Sequence, residues 1–111
     1  MSEFEIEQLH ADDARCELRA RVPEDLRYFE GHFEGDPIVP GIAQLLALVW
    51  APARHAWPDL PAPRALTRLK FLAALRPGHE LTVRLTRTAD AVSFEIERGD
   101  TPCTRGKLVL G

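Results

Sequence analysis

Residues 41–51 of this 111-residue chain, GIAQLLALVWA, are apolar at every position except Gln44. No single face can be picked out of such a run. It is either a helix covered on all sides by protein or a buried strand. Its length, its Ala and Leu content and its Pro40-Gly41 start favour the helix. The stretch before it, Tyr28–Pro40, carries His32 between the pairs Glu30-Gly31 and Glu34-Gly35, then Pro37 and Pro40 around Ile38-Val39. Glycine permits tight backbone and proline fixes φ, so this stretch is a loop. A loop bearing a histidine therefore leads into an enclosed helix whose first N–H groups face that loop.

Around this centre the pattern is that of strands. Phe4 and Ile6 alternate with Glu3, Glu5 and Glu7. Cys16, Leu18, Ala20 and Val22 alternate with Arg15, Glu17, Arg19 and Arg21, as expected of a half-buried antiparallel strand. Pro23–Leu26 reads as a short helical turn. Pro52 limits the helix to about one further turn over 53–57, and Asp59–Arg64 is a proline-rich connector. Strands resume from Ala65: Thr67, Leu69 and Phe71 share a face, Leu81, Val83 and Leu85 another, Val92, Phe94 and Ile96 a third, and Lys107–Leu110 closes the chain. Turns fall at Pro77-Gly78, Ala89-Asp90 and Gly99-Asp100. One apolar helix and five or six antiparallel strands make an α+β domain over 1–111, in which a strongly curved sheet encloses the helix. A single helix on a flat sheet is the competing arrangement, and it leaves one helix face wet.

Composition removes several function classes. The formal charge is −3, and no run of Lys and Arg marks a nucleic-acid face. The acidic start MSEFEIEQLH is no signal peptide, and residues 41–51 are too short to span a bilayer. Cys16 and Cys103 are far apart and read as buried thiols of a reducing cytoplasm. The histidines are too scattered for a metal site, and no cofactor is expected.

The stretch His32-Phe33-x-Gly35-Asp36-Pro37-Ile38-Val39-Pro40-Gly41-Ile42-Ala43-Gln44 resembles the signature of the hot-dog-fold 3-hydroxyacyl-[acyl carrier protein] dehydratases. Within that FabA/FabZ-like family it looks closest to the small ApeI-like members of aryl polyene and similar lipid pathways. Lys70-Phe71 and Pro77-Gly78-His79-Glu80-Leu81 resemble the family's downstream strand–turn–strand. The resemblance implies a hot-dog fold, a homodimer whose sites use both chains, and an acyl carrier protein or coenzyme A thioester as substrate. It implies His32 and the Gly41 backbone as catalytic groups, and Phe33, Pro40, Ile42, Gln44 and Leu46 as the lining of the acyl site. One position departs: the family carries an Asp or Glu fourteen residues after the histidine, where this chain has Leu46.

Loss of water from such a thioester requires removal of a weakly acidic C2 proton. A nearby imidazole and hydrogen-bond donors on the thioester oxygen both help. His32 is the expected base; the Gly41 N–H, with Ile42 beside it, is the expected donor to the oxyanion. The leaving hydroxide also needs a proton, which Leu46 cannot supply. His32 acts alone, or Glu30, Glu34, Asp36 or a partner-chain residue substitutes, or the protein binds acyl chains without turnover. A thioesterase is the enzymatic alternative, and an accessory binding subunit the non-enzymatic one.

Overall fold

The computed structural model describes residues 1–29 and 37–111. Period-two alternation turns the apolar residues of four strands to one side. In β2 (Arg15–Arg21) the residues Cys16, Leu18 and Ala20 are buried; in β4 (Glu80–Arg87) Leu81, Val83 and Leu85; in β5 (Ala91–Arg98) Val92, Phe94 and Ile96; in β6 (Thr101–Leu110) Cys103 and Leu108. With β1 (Glu5–Ala11) and β3 (Pro63–Phe71) they form one six-stranded antiparallel sheet in the order β1-β2-β4-β5-β6-β3. The two edge strands, β1 and β3, are almost wholly exposed. Gly78 and Gly99 make the tight turns with φ of 84° and 57°, a region closed to most side chains.

The helix α1 occupies residues 41–56 in three contiguous pieces: Gly41–Ala43, a π-wound Gln44–Trp50, and Ala51–Ala56. The widened turns have a local cause. Pro52 has no N–H to give the preceding turn, and the Ala51 N–H bonds the carbonyl of Leu46, five residues back. Ala43, Gln44, Leu48, Val49 and Ala53 are buried in the core with the sheet's inner residues. Each large apolar side chain so buried contributes about 1.5–3 kcal/mol. The Trp57 indole N–H anchors the end of the helix to the Asp12 carbonyl at 2.8 Å.

Two expectations need correcting. The helix is apolar all round but is not covered all round in the single chain: Ile42 is 64% exposed and Leu46 51%. Both lie on one stripe turned away from the sheet, so wrapping by this chain's own strands stops short of them. The sequence also shows no clustered Lys/Arg face, yet the sheet gathers Arg68, Lys70, Arg84, Arg105 and Lys107 on its outer side from three separate strands, one of them the edge strand β3. Cross-strand register, not sequence proximity, does this.

His79, just before β4, gives the fold a pH dependence. Its Nδ1 accepts the Arg76 N–H at 3.0 Å, and the Arg98 guanidinium lies 3.1 Å from Nε2. Burial first, then the charges of Arg98 and Arg76, hold its pKa below the ordinary histidine value. Protonation is thus easier in the unfolded chain. The stability this confers is complete above about pH 6.5 and is lost as pH falls from there through the lower folded value. Thermal melts from pH 8 to 5 should show a steeper fall for wild type than for His79→Gln. Parallel curves would remove His79 as the source.

Candidate active site

The residues before the helix are held from two directions. The Val39 N–H donates to the Leu75 carbonyl at 2.8 Å, and the Gln44 N–H donates back to the Pro40 carbonyl at 3.2 Å. The Gln44 side chain, 3% exposed, donates to the Val39 carbonyl and accepts the hydroxyl of Thr104 from β6. Gln44 therefore fastens the start of the helix to the sheet; it borders the groove described next, but both ends of its amide are already engaged. No side chain among the described residues caps the helix start. Its first N–H groups, that of Gly41 among them, have no partner among the described residues, and the positive end of the helix lies at that groove.

A groove of about 430 Å³ lies at this end, bordered by Pro40, Gly41 and Gln44 on one side and by Phe71, Leu72, Ala73 and Ala74 on the other. The ring of Phe71 lies directly over Gly41. A Cβ at position 41 would stand 2.6 Å from the ring's Cζ, so only glycine admits this contact. Phe71 is 51% exposed and has open space to swing into. The space over Gly41, whose N–H is the expected donor to the oxyanion, is filled here by this ring.

Of the expected site residues, Pro40, Gly41 and Gln44 meet in the groove, and Ile42 stands exposed beside it. His32 and Phe33, with the substitute acids Glu30, Glu34 and Asp36, lie outside the described residues. Leu46 does not join the groove. It borders a separate shallow hollow with Phe4, Ile6, Tyr28, Ala47 and Ala51. Half exposed there, it seals nothing within one chain. Phe71 and Thr104 had been given no role. For Phe71 a signal existed, its place in the Lys70-Phe71 pair; for Thr104 there was none.

A model of the ApeI-like family, described as ApeI dehydratase, matches residues 7–107. The chain belongs to the ApeI-like dehydratase family. A curated relative, the 3-hydroxyacyl-[acyl-carrier-protein] dehydratase FabZ of Desulfotalea psychrophila, is 29% identical over 83 residues, 66% of this chain. The match spans about half, 55%, of that relative's length. Among solved structures, one described as the dehydratase heterocomplex ApeI:P from Xenorhabdus doucetiae superimposes with a TM-score of 0.82 at 22% identity, over 96% of this chain and 97% of that one. An uncharacterized protein from Erwinia carotovora subsp. atroseptica gives 0.68 at 29% identity, over 93% and 86%. The fold is the hot-dog fold, and this ApeI-like chain is dehydratase-like. No helix among its described residues is long and apolar enough to cross a membrane.

Proposed function

We propose that this ApeI-like chain acts on carrier-bound 3-hydroxyacyl thioesters of fatty acid or aryl polyene type, removing water to give the trans-2-enoyl thioester. The observation that carries the reading is the helix start at Gly41, uncapped among the described residues and bordering an apolar groove shortly after His32 in the sequence. Unpartnered N–H groups at a helix end stabilise negative charge as it develops on a thioester oxygen. His32 takes the C2 proton. Phe71 swings aside when the thioester enters, because its ring occupies the approach to Gly41. The test is direct: incubate the pure protein with 3-hydroxyacyl and trans-2-enoyl thioesters and follow loss or gain of water by mass. No conversion in either direction favours the second reading, an acyl-binding subunit without turnover, for which Leu46 in the acid's place is the specific support. Thioester hydrolysis has less behind it, since Gln44, the polar side chain at the helix start, is turned to Thr104 and Val39.

The site is completed by a second chain. Edge strand β3 exposes its length together with Leu66 and Phe71, and the helix leaves Ile42 and Leu46 uncovered. An open apolar edge of this kind is a pairing surface. A homodimer is the expected assembly; the solved structure described as a dehydratase heterocomplex makes a different second chain the alternative partner. Light scattering at micromolar concentration should give twice the chain mass. A monomer mass from the chain alone would refute the homodimer, and recovery of a two-chain mass on adding a different second chain would identify the heteromer.

A further inference from the structure

The outer face of the sheet carries a groove of about 590 Å³ that the acyl site does not use. Arg68 and Lys70 of β3, Arg105 and Lys107 of β6 and Arg84 of β4 border it, with Glu95 of β5 as the one carboxylate among its lining residues. This excess of cations sits in a chain of formal charge −3. Elsewhere on the same face charge is matched: Glu5 pairs with Arg21 at 3.1 Å and Glu7 with Arg19 at 3.4 Å. Within the groove Arg84 alone is matched, held by Glu97 at 2.9 Å and Glu17 at 3.6 Å. Among the described residues, none of Arg68, Lys70, Arg105 and Lys107 has a carboxylate within ion-pair distance.

Two local rules are broken at the same place. Lys70 and Arg105 face each other directly across β3 and β6, and like charges so placed destabilise a sheet. Arg68 has φ of 55°, at the irregularity where β3 advances from Thr67 to Lys70 against β6, a conformation costly for any residue with a Cβ. Strain and repulsion gathered on one groove are what a functional site shows when a bound group relieves them.

We propose that this groove binds a phosphate-bearing small molecule. The guanidinium groups of Arg68 and Arg105 offer paired donors that match phosphate oxygens, the ammonium groups of Lys70 and Lys107 add charge, and the hydroxyls of Ser93 and Thr86 stand in the same lining. The volume suits one small ligand. A docked acidic protein needs a footprint near ~800 Å² per partner, far broader than this depression. The phosphorylated end of a thioester carrier and a free nucleotide share the required chemistry. The inference is independent of the dehydratase reading and survives its failure.

The experiment is calorimetric titration of inorganic pyrophosphate into the full chain at constant low ionic strength. Saturable binding, one per groove, is expected. Binding should weaken by about tenfold or more in Arg105→Ala/Lys107→Ala, as each charged hydrogen bond to phosphate is worth roughly that factor. Arg54→Ala, far along the helix, serves as the charge control and should bind as wild type. Both groove positions lie on the outer face, and circular dichroism should show the double variant folded; Lys70→Gln, measured in parallel, should weaken binding too. Two further arms, 4′-phosphopantetheine against pantetheine and adenosine diphosphate against adenosine, name the source by which phosphorylated form binds more tightly. The proposal is overturned if pyrophosphate does not saturate, if the groove variants bind unchanged, if the phosphate-free forms bind equally, or if only polyglutamate or an oligonucleotide binds.

Discussion

Leu46→Glu should raise dehydratase turnover by roughly 10² to 10⁴, the usual worth of a positioned general acid. Position 46 is where the resemblance places the family's acid, and leucine offers no proton to the leaving hydroxide. The structure modifies the expected cost. In an apolar, enclosed site a carboxyl has its pKa raised and lowers stability. Here position 46 is half exposed in the single chain, so burial arises only where a second chain covers the Ile42–Leu46 stripe. The melting temperature should fall only under conditions where the assembled form is present, and should change little for the monomer. Adding His32→Ala to Leu46→Glu should return turnover to background, because the acid is of no use without the base. If wild type already turns over as fast as an ordinary dehydratase and Leu46→Glu slows it, another residue supplies the proton and the site is not impaired.

Gly106→Ala should lower stability by about 1–3 kcal/mol, the usual cost of overpacking a filled core. For a domain of this size each kcal/mol moves the melting temperature by roughly 4–8 °C. Gly106 on β6 lies opposite Phe94 on β5, and a Cβ at 106 would stand 2.6 Å from the ring's Cζ. Phe94 is 1% exposed, so its ring has nowhere to go. Gly41→Ala is the internal comparison. Its clearance to Phe71 is the same 2.6 Å, but in the single chain that ring is half exposed and can rotate outward. Gly41→Ala should therefore leave the melting temperature nearly unchanged while impairing any thioester turnover. Phe94→Leu should recover part of the loss in Gly106→Ala, as expected of two residues in direct contact. Equal destabilisation by Gly41→Ala and Gly106→Ala would show that exposure of the opposing ring does not govern the cost.

The strands were legible where one face alone is buried. In Arg15–Arg21, Glu80–Arg87 and Ala91–Arg98 the alternation of side chains states which face meets the core, since a shift by one residue would invert it. The turns at Gly78 and Gly99 were legible because positive φ narrows the choice of residue. The Pro40-Gly41 helix start and the end shortly after Pro52 followed from proline's fixed φ and missing N–H. The family signature was legible because its residues are contiguous. The last strand began earlier than read, at Thr101, because Thr101–Gly106 alternates poorly, with Cys103 and Thr104 both buried in succession.

Other features depend on residues that are distant in the chain. An all-apolar helix gives no hint of which stripe stays uncovered, since every face satisfies the same rule; the curvature and extent of the sheet left out Ile42 and Leu46. Phe71 reaches Gly41 only because β3 sits at the sheet edge beside the helix start. The cationic groove exists only after register sets Lys70 opposite Arg105 and Glu95 between Arg105 and Arg84. Local chemistry is written in short-range pattern, because turns, caps and alternation act over a few residues. Which side chains share a groove is a property of long-range pairing, and pairing is selected by the packing of the whole sheet and helix together.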